Sequence, residues 1–248
     1  MQVIVKKRKV NLFGVILFMI LMLSCINSTQ SKQRALIITG GHNFDQTEFF
    51  NLFESLSDFQ FDTISQPLAN QLICSGKAIK YNILVFYDSW QLISEAEKDA
   101  YMKLTDYGTG FLFLHHSLAS YQDWDKFWKI RGGGYYRSNP PDSIKDMRYK
   151  HDLDLLVEIL DPNHPITLGM KDFEIHDEGY SNIFINDEIT PLLKTRNPDC
   201  AEVIAWTNNF NNSKIVYLMG GHDRVAFENE NYRELIRNSL SYLNSKKK

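Results

Sequence analysis

Histidine residues follow several apolar segments of this sequence at the point where each segment ends. His42 and His222 each follow a Gly-Gly pair, and His115 and His116 follow the apolar run at residues 110–114. A run of this kind predicts a parallel strand that is buried on both faces. Ligands of open α/β sheets bind beyond the carboxyl ends of such strands. We therefore expect these histidines to meet at one sheet edge, with His42, His115 and His222 within about 10 Å of one another.

Three kinds of chemistry are compatible with such a group. Histidine acts as a general acid or base near neutral pH. Neutral imidazoles together with Asp177 or Glu178 form a donor set for a divalent metal, although the sequence has no His-x-x-x-His or His-Glu-x-x-His spacing. The same groups could instead bind a polar ligand through hydrogen bonds. The candidate catalytic residues are therefore His115, His116, His222, Asp177 and Glu178.

Asp177 and Glu178 are adjacent, and adjacent side chains of an extended chain point in opposite directions. We expect only one of the two to face the site, and a solvated acidic turn is the alternative. Further candidates for substrate binding accompany the predicted strand ends or lie in the aromatic segments: His42, Gly41, Asp88, Ser117, Trp124, Tyr136, Tyr180 and Asp223. The aromatic members could equally belong to the core. Ser117 is disfavoured as a nucleophile because Gly-x-Ser-x-Gly is missing.

Strands and helices alternate in the first half of the chain, which predicts an α/β fold with a mostly parallel central sheet. The predicted strands are residues 34–39, 59–64, 82–87, 110–114, 153–159, 191–195, 202–206 and 214–219. Capping patterns predict helix starts at Asp45 and at Ser94, the latter with Glu97, and Gly108 predicts a helix end. The segment 131–136, with three consecutive glycines, is predicted to be a flexible loop, and residues 232–243 a closing amphipathic helix.

The amino terminus has the pattern of a lipoprotein signal. A basic stretch at residues 6–9 precedes a short apolar stretch at 10–23, and Ser24-Cys25 resembles the end of a bacterial lipobox. We predict a signal peptide at residues 1–24, a lipidated Cys25 with a tether at 25–33, and a folded domain at 34–245. The predicted location is the bacterial cell envelope, with the protein held at the membrane by its lipid anchor.

Composition limits the other partners and sites. The formal net charge is −3 over 248 residues, so no basic surface indicates nucleic-acid binding. Cys74 and Cys200 form neither a disulfide framework nor a Cys-x-x-Cys zinc site, and we interpret both as small buried side chains. The oligomeric state is not determined by the sequence.

Five segments of the chain resemble the ThuA-like (trehalose-utilisation) domain: Gly40-Gly41-His42, residues 110–117, His164-Pro165-Ile166-Thr167-x-Gly169, residues 173–180 and Gly220-Gly221-His222-Asp223. The resemblance implies a flavodoxin-like sandwich related to class I glutamine amidotransferases. It also implies a role in disaccharide or keto-sugar metabolism. Amidotransferases of that superfamily carry a cysteine at the sharp turn where this chain has His115-His116-Ser117, so thioester-forming glutamine hydrolysis is not expected.

The prediction is thus an envelope-anchored enzyme that processes a small carbohydrate or keto-glycoside through a histidine and carboxylate site. Hydrolase, lyase and isomerase chemistry are all left open, as is the use of a divalent metal. The alternative is a non-catalytic carbohydrate-binding lipoprotein.

Overall fold

A computed structural model of the chain describes residues 32–136 and 147–245. The predicted signal peptide and Cys25 lie outside these residues. The strands within them are β1 (Gln33–Gly40), β2 (Phe59–Ser65), β3 (Ile83–Asp88), β4 (Gly110–Leu114), β5 (Gly133–Gly134), β6 (Arg148–Ile159), β7 (Phe173–Ser181), β8 (Phe184–Ile185), β9 (Thr190–Lys194), β10 (Val203–Phe210) and β11 (Ser213–Leu218).

The helices in the same part of the chain are α1 (Gln46–Glu54), α2 (Leu68–Cys74), α3 (Glu95–Tyr107), α4 (Asp125–Arg131), α5 (Arg224–Glu228) and α6 (Glu230–Asn244). Two 3₁₀ turns, Lys77–Lys80 and His115–Ala119, complete the set. The predicted closing helix is therefore confirmed as α6.

Within the described residues, the central sheet has nine strands in the order β2-β1-β3-β4-β11-β10-β9-β6-β7. The first five are mutually parallel, and the remaining four continue the sheet in antiparallel pairs. β5 and β8 form a separate antiparallel pair. The predicted α/β class with a largely parallel central sheet is confirmed. As a result, β1, β3, β4 and β11 all present their carboxyl ends at one edge.

The central strands are apolar because they are covered on both faces. All residues of β3 and β4 are buried, as an unbroken apolar run predicts for a parallel strand. β6 is different, since only its second half alternates between buried and exposed residues. The sequence predicted this strand from residue 153, but it begins at Arg148 because its polar first half pairs with β7.

Two capping predictions had different outcomes. The Ser94–Glu97 capping box forms at the start of α3, and Gly108 ends that helix with a φ of 81°. Asp45 precedes α1 but makes no side-chain capping bond. Its carboxylate instead accepts the backbone N–H of Arg224 at 2.9 Å, so that capping prediction is wrong.

The glycine segment after α4 is buried and ordered by packing, so the prediction of a flexible loop is wrong. A Cβ atom on Gly134 would lie 2.2 Å from the Trp128 ring, which explains why this position lacks a side chain. The buried Arg131 guanidinium donates hydrogen bonds to the carbonyl oxygens of Ser117 at 2.8 Å, Gly133 at 2.9 Å and Ser120 at 3.3 Å. Arg131 thereby connects this segment to the turn that carries the paired histidines.

Candidate functional site

Four histidines meet at the carboxyl edge of the parallel strands. The ring centroids of His42 and His116 are 4.4 Å apart, those of His42 and His222 are 6.3 Å apart, and those of His115 and His222 are 5.1 Å apart. The predicted convergence of these side chains is confirmed. The parallel topology produces it, because each histidine follows a strand that ends at this edge.

The backbone turns sharply at His115, directly after β4. His115 has a φ of 46°, in the left-handed region that non-glycine residues rarely adopt. Its buried Nδ1 lies 2.7 Å from the carbonyl oxygen of Met219. Because a carbonyl oxygen only accepts, Nδ1 carries the proton, and a neutral His115 therefore presents the lone pair of Nε2.

His115, Glu178 and His222 form a compact cluster. His115 Nε2 lies 3.1 Å from His222 Nδ1 and 3.5 Å from Glu178 Oε1. His222 Nδ1 lies 3.5 Å from Glu178 Oε2. Tyr180 adds its hydroxyl 3.2 Å from His115 Nε2, and His151 Nδ1 lies 2.7 Å from Glu178 Oε2. The arrangement can hold a cation between imidazole and carboxylate groups.

The cluster favours positive charge at His115. Burial alone would lower the pKa of His115, but the Glu178 carboxylate and the nearby Asp177 charge outweigh it and raise that pKa. Burial likewise opposes the charge of Glu178, yet His115 and His222 bring the pKa of its carboxyl down to about 2. Burial and the neighbouring His115 lower the pKa of His222.

His116 has the opposite environment. Burial, followed by the charges of His115 and His42, lowers the pKa of His116 well below its usual range, so the ring is neutral. Its Nε2 donates to the carbonyl oxygen of Tyr87 at 3.3 Å. Its Nδ1 has no hydrogen-bond partner among residues 32–136 and 147–245. His116 thus carries an unshared lone pair on a buried atom, in a ring that lines the pocket.

Asp177 and Glu178 are both buried, so the alternative of a solvated acidic turn is wrong. As the alternation along β7 predicts, the two side chains have different surroundings. Asp177 accepts the backbone N–H groups of Gly221 at 2.7 Å, Glu178 at 2.8 Å and His222 at 2.9 Å. Asp177 therefore fixes the turn that carries His222, while Glu178 reaches the cluster and the pocket.

Gly221 is required in that turn. Its φ is 107°, and an added Cβ atom would lie 2.2 Å from the Tyr232 hydroxyl oxygen. A side chain here would be strained at this φ and would force either Tyr232 or the turn that carries His222 to move.

A pocket of about 260 Å³ opens beside the cluster. Its lining residues are His42, Ser89, His116, Ala119, Tyr135, Tyr149, His151, Glu178 and Tyr180. The predicted His42, His116, Glu178 and Tyr180 are among them. Sequence reasoning missed Tyr149 and His151 as site residues, since they lie on the polar first half of β6. Their place in the site comes from the pairing of β6 with β7, which sets Tyr149 opposite Tyr180 and which the polar sequence does not indicate.

Three predicted binding residues, Asp88, Ser117 and Gly41, are not part of the pocket lining. Asp88 and Ser117 are fully buried. The Asp88 carboxylate accepts hydrogen bonds from Ser120 Oγ at 2.8 Å and Gln66 Nε2 at 3.0 Å. Gly41, with a φ of 79°, packs against the Ser89 carbonyl, which an added Cβ atom would approach to 2.8 Å.

The predicted Trp124, Tyr136 and Asp223 also lie outside the pocket lining. The Trp124 ring stacks in the core on Phe127 at 5.0 Å between centroids. The Tyr136 ring lies 4.7 Å from that of Trp128. Asp223 caps α5 by accepting two backbone N–H groups. Their parts in ligand binding remain predictions.

The two cysteines of the folded region differ in exposure. Cys200 is buried, and burial raises the pKa of its thiol to about 12. Cys74 is exposed at the end of α2, so its interpretation as a buried side chain is wrong.

Among the described residues, no helix is both long enough and apolar enough to span a bilayer.

Comparison with known proteins agrees with the fold and with the sequence segments that surround the site. A family model described as ThuA, trehalose utilisation, matches residues 34–243. No curated protein shows a significant match to the sequence.

Solved structures with a similar fold include two ThuA-like proteins. The one from Parabacteroides merdae has a TM-score of 0.71 and 15% identity, over 87% of this chain and 91% of that chain. The one from Bacteroides uniformis has a TM-score of 0.68 and 21% identity, over 90% of this chain and 95% of that chain. A glutamine amidotransferase from Thermotoga maritima aligns with a TM-score of 0.50 and 13% identity, over 87% of this chain and 100% of that chain. The expected amidotransferase-like fold is therefore confirmed.

Proposed function

Since this chain belongs to the ThuA family, we propose that it is an enzyme that binds a small carbohydrate or keto-glycoside in the histidine-lined pocket and transforms it by proton transfer. The observation that carries the proposal is the contrast between two consecutive histidines. His115 belongs to a cluster that favours positive charge, whereas His116 is held neutral. Titratable neighbours with opposite protonation preferences are typical of acid and base pairs in active sites.

His116 is the proposed general base. Its Nε2 is engaged by Tyr87, and its Nδ1 is unpaired within the described residues. A general base must lie within hydrogen-bond reach of the proton that it removes, and His116 lines the pocket. In a keto-glycoside, the proton on the carbon next to the carbonyl group is the acidic one, and a neutral imidazole can accept it.

The cluster of His115, Glu178 and His222 is the proposed site of positive charge opposite this base. Removing a proton next to a carbonyl group leaves negative charge on the carbonyl oxygen. A fixed positive group near that oxygen stabilises the charge as it develops. The cluster and His116 lie on either side of the same turn, with the His115 and His116 rings 5.4 Å apart.

The pocket walls suit a sugar. Tyr135, Tyr149 and Tyr180 line it together with His42 and His151. Tyrosine rings pack against the apolar face of a sugar ring, while hydroxyl and imidazole groups hydrogen-bond its hydroxyls.

The test is turnover of a panel of glycosides and keto-glycosides by the purified chain. We expect turnover of at least one, and a fall in kcat of about 100-fold or more in His116→Gln with ligand binding retained. His176→Gln is the matched control, because His176 is an exposed histidine on β7 that contacts Asp154 at 2.8 Å. Ligand binding without turnover by the unmodified chain would instead support a non-catalytic carbohydrate-binding protein. Unchanged kcat in His116→Gln would refute the role of His116.

We also propose that the enzyme is held at the cell envelope by a lipid on Cys25. The proposal is supported by the basic and apolar segments before Ser24-Cys25 in the sequence.

A further inference from the structure

We propose that His115, Glu178 and His222 bind one divalent transition-metal ion, with Zn²⁺ as the best-matched probe. The three residues each bring one ligand atom into a group whose members all lie within 4.8 Å of one another. Two of the residues are buried and the third is partly buried. The cluster combines two imidazoles with one carboxylate, the donor set of several catalytic zinc sites.

The spacing of the donor atoms matches metal coordination. Ligands at about 2.1 Å from a tetrahedral zinc ion are about 3.4 Å from one another. The nitrogen atoms of His115 and His222 are 3.1 Å apart, and each lies 3.5 Å from one oxygen of Glu178. These two contacts use different carboxylate oxygens, so Glu178 can ligate through both, or through one after a small rotation. The ion takes the place of the proton that now joins the two nitrogens.

Neighbouring groups already hold each ligand in place. The Met219 carbonyl fixes the His115 ring through Nδ1, which leaves Nε2 as the ligand atom. The Asp177 carboxylate binds the backbone N–H of both Glu178 and His222. Outer hydrogen bonds of this kind orient metal ligands and set their protonation. The three ligands therefore need little rearrangement to receive an ion.

The donor set also selects the kind of ion. Imidazole nitrogen suits zinc and its first-row neighbours, while Mg²⁺ and Ca²⁺ prefer sites made of oxygen ligands. Glu178 lines the pocket, so an ion at the cluster would lie at the pocket wall. A catalytic role for the ion rests on the proposed function. In that role the metal ion would act as a Lewis acid and polarise a carbonyl or hydroxyl oxygen of the bound sugar. Metal binding itself can be measured without any substrate.

The experiment is titration of the chelator-treated, desalted chain with Zn²⁺ by calorimetry, and by competition with a chromophoric chelator. We expect one high-affinity equivalent per chain and a rise in Tm. Affinity should fall about 100-fold or more in Glu178→Gln and His222→Ala, since loss of an outer-shell partner alone costs about 10–100-fold. Circular dichroism of each variant establishes that it is folded. The partial exposure of His222 makes its replacement the milder of the two.

His176→Ala is the control for surface binding. His176 lies on the same strand as Glu178, and its ring is 2.8 Å from Asp154 and 3.6 Å from Asp152, both on the neighbouring β6. The three side chains form a second histidine and carboxylate group, outside the proposed site. Replacement of His176 should leave the affinity for Zn²⁺ unchanged. Loss of binding in this control but not in His222→Ala would overturn the proposal, as would no binding to the folded, unmodified chain. Turnover by a metal-free chain would overturn the catalytic use of the metal while leaving the acid and base proposal standing.

Discussion

Replacing Asp177 with asparagine should destabilise the protein although the change is nearly isosteric. Asp177 is 3% exposed, and its two oxygens accept three backbone N–H groups. Oδ2 accepts Gly221, while Oδ1 accepts Glu178 and His222. An asparagine that keeps its oxygen toward Glu178 and His222 must turn its NH₂ group toward the N–H of Gly221. Two buried donors then face each other without an acceptor.

The magnitude follows from those two donors. Each buried donor without a partner costs about 1–3 kcal/mol. Burial raises the pKa of Asp177, which means that burying its negative charge is unfavourable. The neutral asparagine avoids this penalty, and that gain offsets part of the cost of the unpaired donors. We expect the free energy of unfolding to fall by about 3 kcal/mol in Asp177→Asn at neutral pH. The alternative amide orientation leaves two backbone N–H groups unpaired and is no better.

Urea unfolding followed by circular dichroism measures this change, with an unchanged m value showing that the two states are comparable. Asp154→Asn is the control. Its side chain is 94% exposed, so a change below about 0.5 kcal/mol is expected. Asp177→Asn should also lower turnover, because the displaced turn carries His222. A loss of less than about 1 kcal/mol would refute the reasoning that Asp177 fixes this turn.

Two further predictions concern pH and the membrane. Burial raises the pKa of Asp88 from 3.8 to about 6, so the folded chain keeps a proton on Asp88 that the unfolded chain has lost. Asp88 therefore makes the free energy of unfolding decrease as the pH rises from about 4 to about 6, by about 3 kcal/mol in total. In Asp88→Asn the free energy of unfolding should lack this decrease between about pH 4 and pH 6. If the free energies of unfolding of the two proteins changed in parallel with pH, the role assigned to Asp88 would be wrong. Cys25→Ala should abolish acyl labelling and release the protein from the membrane fraction, whereas unchanged labelling and fractionation would refute the lipid anchor.

The sheet edge could be predicted because the relevant signals are local in the sequence. An unbroken apolar run before His115 and a Gly-Gly pair before His42 and His222 mark strand ends, and parallel strands bring their carboxyl ends together. The separation of Asp177 from Glu178 followed in the same way from alternation along a strand. None of these inferences required knowledge of distant contacts.

The missed features depend on contacts between distant parts of the chain. His151 reaches Glu178 because β6 pairs with β7 from Arg148 onward, and a polar stretch gives no apolar signal for that pairing. Asp45 bonds to Arg224, 179 positions away, and so does not cap the nearer helix. The segment at Gly134 looked flexible because its tight packing against Trp128 appears only in three dimensions.

The doubled histidine shows how one backbone turn can give two identical residues different chemistry. The left-handed conformation at His115 directs consecutive side chains into different surroundings, with the rings 5.4 Å apart and at 82° to each other. His115 contacts the carboxylate cluster, whereas His116 stacks on His42 and bonds to Tyr87. A regular strand would also separate the two, but it would place them on opposite faces of the sheet. The turn keeps both at the same edge, so the proposed cation site would lie beside the proposed base. On that proposal, the strained conformation at His115 serves to place both rings at the site.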